Sequence, residues 1–215
     1  MQSLRTKTIG TDLLFYHLKY QHTEEILRML QNREVTPNDQ DINGMTSLHV
    51  VTELENANLV RILLNYGANP NTPTHLDVGY YLPIHKACEK GNREIVEMLI
   101  RAGSDLNFRN KLGHTALHVA VRQRNVEITR MLISQGADPN IRDVMGCNPS
   151  YYAKINDVKE LIAELPPPIT MKPEEVMEHR IFVRAVLGFD PDKKSDKKGK
   201  KGKGKKGKGK KGKKK

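Results

Sequence analysis

Asn43-Gly44-Met45-Thr46-Ser47-Leu48-His49 returns later in the chain as Lys111-Leu112-Gly113-His114-Thr115-Ala116-Leu117-His118. The histidine recurs at His49, His85 and His118, and Tyr151 takes its place one period later, so the spacings are 36, 33 and 33 residues. A second register repeats with it. Ile26, Met29 and Leu30 come back as Leu59, Ile62 and Leu63, then as Ile95, Met98 and Leu99, then as Ile128, Met131 and Leu132. Spacing of i, i+3, i+4 sets each trio on one face of a helix. Behind these helices stand Gly67, Gly103 and Gly136, where a left-handed C-cap is expected and a residue without Cβ adopts it free of strain. Asn38, Asn71, Asn107 and Asn140 then close the units.

A Leu-His pair followed by small residues at a period of about 33 resembles the ankyrin repeat. That resemblance implies an all-α ankyrin-repeat solenoid, built of helix-turn-helix pairs with β-hairpin fingers. It also implies that the periodic histidine bonds backbone to tie one repeat to the next, and that the concave groove binds other proteins. Residues 1–165 are read as about five repeats, at 8–40, 41–73, 74–109, 110–142 and 143–165. Terminal repeats have one neighbour only and are expected to depart from the pattern. In the first, Phe15-Tyr16 stands for Leu-His and Glu34 for the cap glycine. In the last, Val158 is read as the outer-helix residue, three residues nearer to Tyr151 than Ile128 is to His118.

The chain has 215 residues and a formal net charge of +11, but that charge is not spread evenly. Residues 1–192 hold 21 Lys and Arg against 24 Asp and Glu, whereas 193–215 hold 15 lysines and Asp196 alone. The folded body is therefore slightly acidic and the basic character belongs to the tail. Alternating lysine and glycine without apolar residues cannot bury enough surface to offset ordering entropy, so 193–215 is expected to be disordered. Between stack and tail, 166–192 opens on Pro166-Pro167-Pro168 and continues as a helix from near Pro173-Glu174-Glu175 to Gly188, with proline and acids favourable in its first turn. This helix either caps the fifth repeat or captures a partner.

Several function classes are excluded by what the sequence lacks. No run of about 18 apolar residues suggests a transmembrane helix, and residues 1–11 have no apolar signal core. A cytoplasmic protein is expected, with nucleus, cytoskeleton or cilium as alternatives. The histidines sit at the repeat period, and no Cys-x-x-Cys, metal-spaced His pair, phosphate loop or nucleophile motif accompanies them. No enzyme activity, cofactor or metal is expected. Cys88 fills a small-residue core position, while Cys147 in a finger turn is read as an exposed thiol.

Surface then carries the function. The fingers present Ile42 and Met45, Tyr80 and Tyr81, Leu112 and His114, Val144 and Met145, with few charges among them. The inner helices add Glu53, Leu54, Glu89, Lys90, Arg122 and Gln123 at matching positions. A row of apolar and aromatic tips suggests a protein-binding stripe, unless some tips fold back on the neighbouring finger. Three extra residues within 72–81 lengthen the third finger, a common place for recognition. In the tail, Lys197, Lys198, Lys200, Lys201, Lys205, Lys206, Lys210, Lys211 and Lys213 form a flexible polycation. It suits nucleic acid, anionic lipid or an acidic protein tail such as tubulin's, or acts merely as a solubilising tail. No aromatic is interleaved for base stacking, so it reads charge and not sequence. Two classes follow: a monomeric adaptor or scaffold, with the ankyrin-type inhibitor of a kinase or transcription factor as a variant, and a polyanion or chromatin associate carried by its tail.

Overall fold

The computed structural model describes residues 2–170; the helix expected at 173–188 and the lysine tail lie outside that range. Ten α-helices among the described residues follow one another as inner and outer partners: α1 (Gln2–Lys19) with α2 (Thr23–Gln31), α3 (Ser47–Glu53) with α4 (Ala57–Asn65), α5 (Pro83–Lys90) with α6 (Arg93–Arg101), α7 (Ala116–Arg122) with α8 (Val126–Ser134), and α9 (Pro149–Ile155) with α10 (Lys159–Glu164). Inner helices stack from α1 through α9, and outer helices α4, α6 and α8 stack beside them. The apolar seam between the two rows is continuous from Leu14 to Leu165.

Each pair turns on a residue with positive φ: Gln21 (57°), Glu55 (57°), Gly91 (75°), Arg124 (57°) and Asp157 (53°). Asn56, Asn92 and Asn125 follow in three of them, and their side chains accept from the N–H of Leu59, Ile95 and Ile128. These bonds satisfy one of the orphan donors at each helix start. The fully buried seam of the outer helices is Leu59, Val60 and Leu63, then Ile95, Val96 and Leu99, then Ile128, Thr129 and Leu132. Ile62, Met98 and Met131 are only partly buried at its border, so in α4, α6 and α8 the stripe is i, i+1, i+4, whereas in α2 the expected Ile26, Met29 and Leu30 are all buried.

The terminal pairs correct three sequence assignments. Backbone bonds place Leu14 and Phe15, and not Phe15 and Tyr16, opposite Leu48 and His49: His22 donates to His17 as Asn56 donates to Val51. Tyr16 is accordingly exposed. The left-handed residue after α2 is Arg33 (φ 56°) and not Glu34, because the first unit lies one residue further from the second than the sequence expectation places it; α2 is as long as α4. In the last pair Leu161 is the buried counterpart of Ile128, and Val158 is the N-cap of α10. The connection there has its ordinary length; only the outer helix is shortened.

Two ladders cross the repeats. In His49 and His118, Nδ1 accepts the N–H of Thr46 or Thr115 (3.1 and 3.2 Å), while Nε2 reaches the carbonyl of Tyr81 (3.0 Å) or Cys147 (3.2 Å) in the next unit. His85 does the same with Leu82 N–H on one side and the carbonyls of Phe108 and His114 on the other. One nitrogen accepts and the other donates, so the neutral Nε2-protonated ring is required. Burial lowers all three to a pKa of about 4. On the outer side, Asn38 and Asn71 donate to the carbonyls of Gly67 and Gly103 and accept from Asn69 and Asp105 N–H.

The fingers are turns, not β-hairpins of regular strands: the described residues hold one isolated antiparallel bridge, Gln40 to Thr46. Asp41, Asn110 and Asp143 each donate to the carbonyl four residues on, whereas Thr74 donates to Tyr81 seven residues on, which locates the three extra residues between Thr74 and Tyr81. Neighbouring fingers touch through His75 N–H to Asn43 carbonyl, Lys111 to Gly79 and Val144 to Leu112. Glycines at the two kinds of turn should respond differently to alanine. Gly67 (φ 81°) has nothing within 4 Å of an added Cβ, so Gly67→Ala is expected to cost only the left-handed strain of about 1 kcal/mol. At Gly113 (φ 73°) a Cβ meets Val144 N at 2.8 Å and Asp143 Cα at 3.0 Å, and Gly113→Ala is expected to cost about 3 kcal/mol. Denaturant midpoints that fall equally for both variants would contradict this.

Candidate functional site

Fingers and inner helices together bound the concave face, and a depression of about 200 Å³ lies on it between the third and fourth pairs. Tyr81, Lys86, Glu89, Leu112, Arg122 and Gln123 are among its lining residues. Lys86 stands over the Tyr81 ring at 5.5 Å and bridges Glu89 (2.8 Å) and Glu53 (3.8 Å). Burial works against its charge, but the hydrogen bond and charge of Glu89 prevail and hold its pKa above the ordinary lysine value. Lys90 pairs more loosely with Glu55 at 4.0 Å.

Beneath this face sits a buried polar cluster centred on Asp143. Its Oδ1 accepts from Met145 N–H (2.8 Å) and Cys147 N–H (3.0 Å), and its Oδ2 accepts from the Tyr152 hydroxyl and lies 3.3 Å from His114 Nε2. Burial alone would raise the Asp143 pKa; the hydrogen bonds of His114, Tyr152 and Cys147 outweigh it and lower it. Burial and the neighbouring carboxylate push the Tyr152 hydroxyl up, so it remains a donor. Arg122 donates to His114 Nδ1 at 3.2 Å and lies 5.7 Å from the Tyr152 ring centre.

The finger residues read from sequence divide into two sets. Ile42 (92% exposed), Leu112 (38%) and Met145 (37%) are open to solvent, as are Leu76 and Val78 on the lengthened finger. The first three are the row expected from sequence; the last two were hidden in the inserted residues, whose conformation no period specifies. Met45, Tyr80 and Tyr81 are half-buried. Tyr80 packs on Phe108 with ring centres 5.3 Å apart, and Tyr81 meets His49 edge-on. His114 (6%) and Val144 (4%) are not exposed: Asp143 and Arg122 draw the imidazole inward, and the Val144 N–H is tied to the preceding finger. On the inner helices Leu54 is half-buried, while Lys90, Arg122 and Gln123 are exposed. Lys86 also escaped the sequence reading, although it is the one charge in a column otherwise filled by Val50, Val119 and Tyr152.

Both cysteines are buried. For Cys88 this agrees with its core position; for Cys147 it corrects the exposed-thiol reading, since the thiol lies 3.6 Å from the Met145 carbonyl and burial raises its pKa to about 11. No three or more His, Cys, Asp or Glu side chains converge on a metal-sized space among the described residues. No described helix is long and apolar enough to cross a membrane.

Stacked helix pairs locked by cross-repeat histidines, with a shallow polar and apolar groove, define a solenoid of the protein-interaction class. A family model for ankyrin repeats in three copies matches residues 73–143, and one for the single ankyrin repeat matches 43–75. Human protein phosphatase 1 regulatory subunit 27 is 38% identical over 110 residues, covering 51% of this chain and 70% of that protein. The chain belongs to the ankyrin-repeat family. Cyclin-dependent kinase inhibitor 2A of Monodelphis domestica is 34% identical over 89 residues, 41% of this chain and 50% of the relative. E3 ubiquitin-protein ligase KEG of Arabidopsis thaliana is 32% identical over 93 residues, 43% of this chain but only 6% of the ligase. The matched part is thus a protein-interaction module that proteins of very different length carry.

Proposed function

We propose that this protein is a non-enzymatic adaptor or scaffold that holds a protein partner in the concave groove and tethers it, through residues 193–215, to an acidic structure. The observation that carries the reading is the depression between the third and fourth pairs, which Leu112 lines, together with the exposed apolar residues Ile42, Leu76, Val78 and Met145 on the other fingers. Exposed apolar tips beside a partly charged groove form the core and rim of a binding surface. The phosphatase regulatory subunit and the kinase inhibitor among the relatives support a regulatory partner, with steric inhibition of an enzyme as one form of it. The rival reading rests on the 15 lysines of the tail, which would bind a polyanion with a steep dependence on salt. Affinity purification from native cells separates the two, using the full chain, a truncation after Asp192, and a Leu112→Glu, Met145→Glu double variant. A defined protein that survives high salt and truncation, but is lost with the double variant, is expected. Partners that are all acidic and vanish with the tail would overturn the groove reading.

A further inference from the structure

Resting on that groove reading, we propose that Arg122 is its oxyanion anchor, taking a carboxylate or phosphate on a partner segment whose neighbouring side chains are apolar. The other cations of the central inner helices are matched: Lys86 and Lys90 each lie within 4.0 Å of a carboxylate, as do Arg61, Arg93, Arg101 and Arg130 on the outer helices. Arg122 is exposed, lines the depression and has no ion-pair partner among the described residues. It is nevertheless held in place. Its guanidinium donates to His114 Nδ1 at 3.2 Å and lies 5.7 Å from the Tyr152 ring centre, while the Asn156 side chain donates to its backbone carbonyl. A guanidinium only donates, so His114 Nδ1 accepts and its Nε2 carries the proton toward Asp143, 3.3 Å away. Tyr152, also bonded to Asp143, supplies the supporting ring. The arginine therefore keeps most of its planar fork of N–H groups for a ligand and loses little side-chain freedom on binding one.

Charge along the groove specifies the register of that ligand. At the position of Arg122, the two preceding pairs carry Glu53 and Glu89, and Lys86 between them is already engaged by both. Among the three central pairs the sign reverses only at the fourth, the first pair having Lys19 at the far end of the stack, so a segment crossing the central groove finds its anion-binding subsite at Arg122. Leu112 and Met145 stand exposed on the fourth and fifth fingers, which supplies the apolar flank.

A random-peptide phage library panned on the full-length protein in high salt tests the assignment, because salt silences the lysine tail and leaves a preorganised contact. Enriched peptides are expected to carry Asp or Glu beside apolar residues, and to lose about tenfold or more in affinity on Arg122→Gln and most of that on Arg122→Lys. Arg122 is exposed, so both variants should keep the wild-type melting temperature. Replacing the peptide's acid by its amide should cost as much as the protein variant. Replacing it by phosphoserine names the source: tighter binding points to phosphopeptides, weaker binding to carboxylates. Enriched peptides that ignore Arg122→Gln yet fail on Leu112→Glu, Met145→Glu would overturn the anchor and leave the groove reading standing. Peptides indifferent to all these variants would overturn both.

Discussion

Lowering the pH from 7 to 5 is expected to remove about 6 kcal/mol from the stability of the repeats. The loss should appear as a large fall in denaturant midpoint with little change in slope. His49, His85 and His118 use one ring nitrogen as acceptor and the other as donor, and burial lowers each from the usual 6.5 to a pKa of about 4. The unfolded chain takes up a proton at each site as pH falls through 6.5, while the native chain resists until about 4. Stability is thus complete above the unfolded value and drains away across that window. Each histidine contributes about 2 kcal/mol of the loss by pH 5. Asp143, whose pKa is lowered in the fold, acts in the same direction but only below the normal carboxylate range, so it does not account for a loss at pH 5. His118→Gln separates the cause from general acid effects: it should be less stable at pH 7 yet lose about a third less between pH 7 and 5. Identical midpoints at the two pH values would refute the neutral-histidine ladder.

The same ladder explains how much of the fold was legible. A histidine that must bridge an N-terminal turn and the next finger leaves a fixed period, and Gly67, Gly103 and Gly136 mark outer-helix ends because their φ of 81° to 93° favours a residue without Cβ. The turn between inner and outer helix leaves no such mark: Gln21, Glu55, Arg124 and Asp157 fill a left-handed position where only the third pair has glycine. Without that punctuation the end pairs slipped, by one residue at Phe15 and three at Val158. The finger stripe was half legible for a related reason. Met45, Tyr81, His114 and Cys147 occupy the same finger position, and nothing in an imidazole's identity says that it turns inward. The carboxylate that turns it, Asp143, belongs to the next unit, 29 residues away in sequence. A contact across the repeat boundary is invisible to a reading made one repeat at a time.

Asp143→Ala is expected to destabilise the stack by about 3 to 5 kcal/mol, more than most single core truncations at the ends. The side chain is fully buried and serves four donors: two finger N–H groups, the Tyr152 hydroxyl and His114 Nε2. Alanine removes a charge whose removal is itself favourable to burial, but it leaves those donors without acceptors in a dry site, and that cost dominates. Asp143→Asn sharpens the test. Its amide oxygen can still accept from Met145 and Cys147, so the fifth finger should keep its turn, while its NH2 opposes the donors of Tyr152 and His114. The Asn variant should therefore retain about half of the lost stability. It should also release His114, and with it the hold on Arg122, so anionic peptides selected on the wild type should bind it more weakly although no residue of the groove surface has changed. A loss below about 1 kcal/mol for alanine by chemical denaturation would show that the cluster is not the support of the groove. Unchanged peptide affinity in the Asn variant, at wild-type fold content, would show that Arg122 is held by its own helix alone.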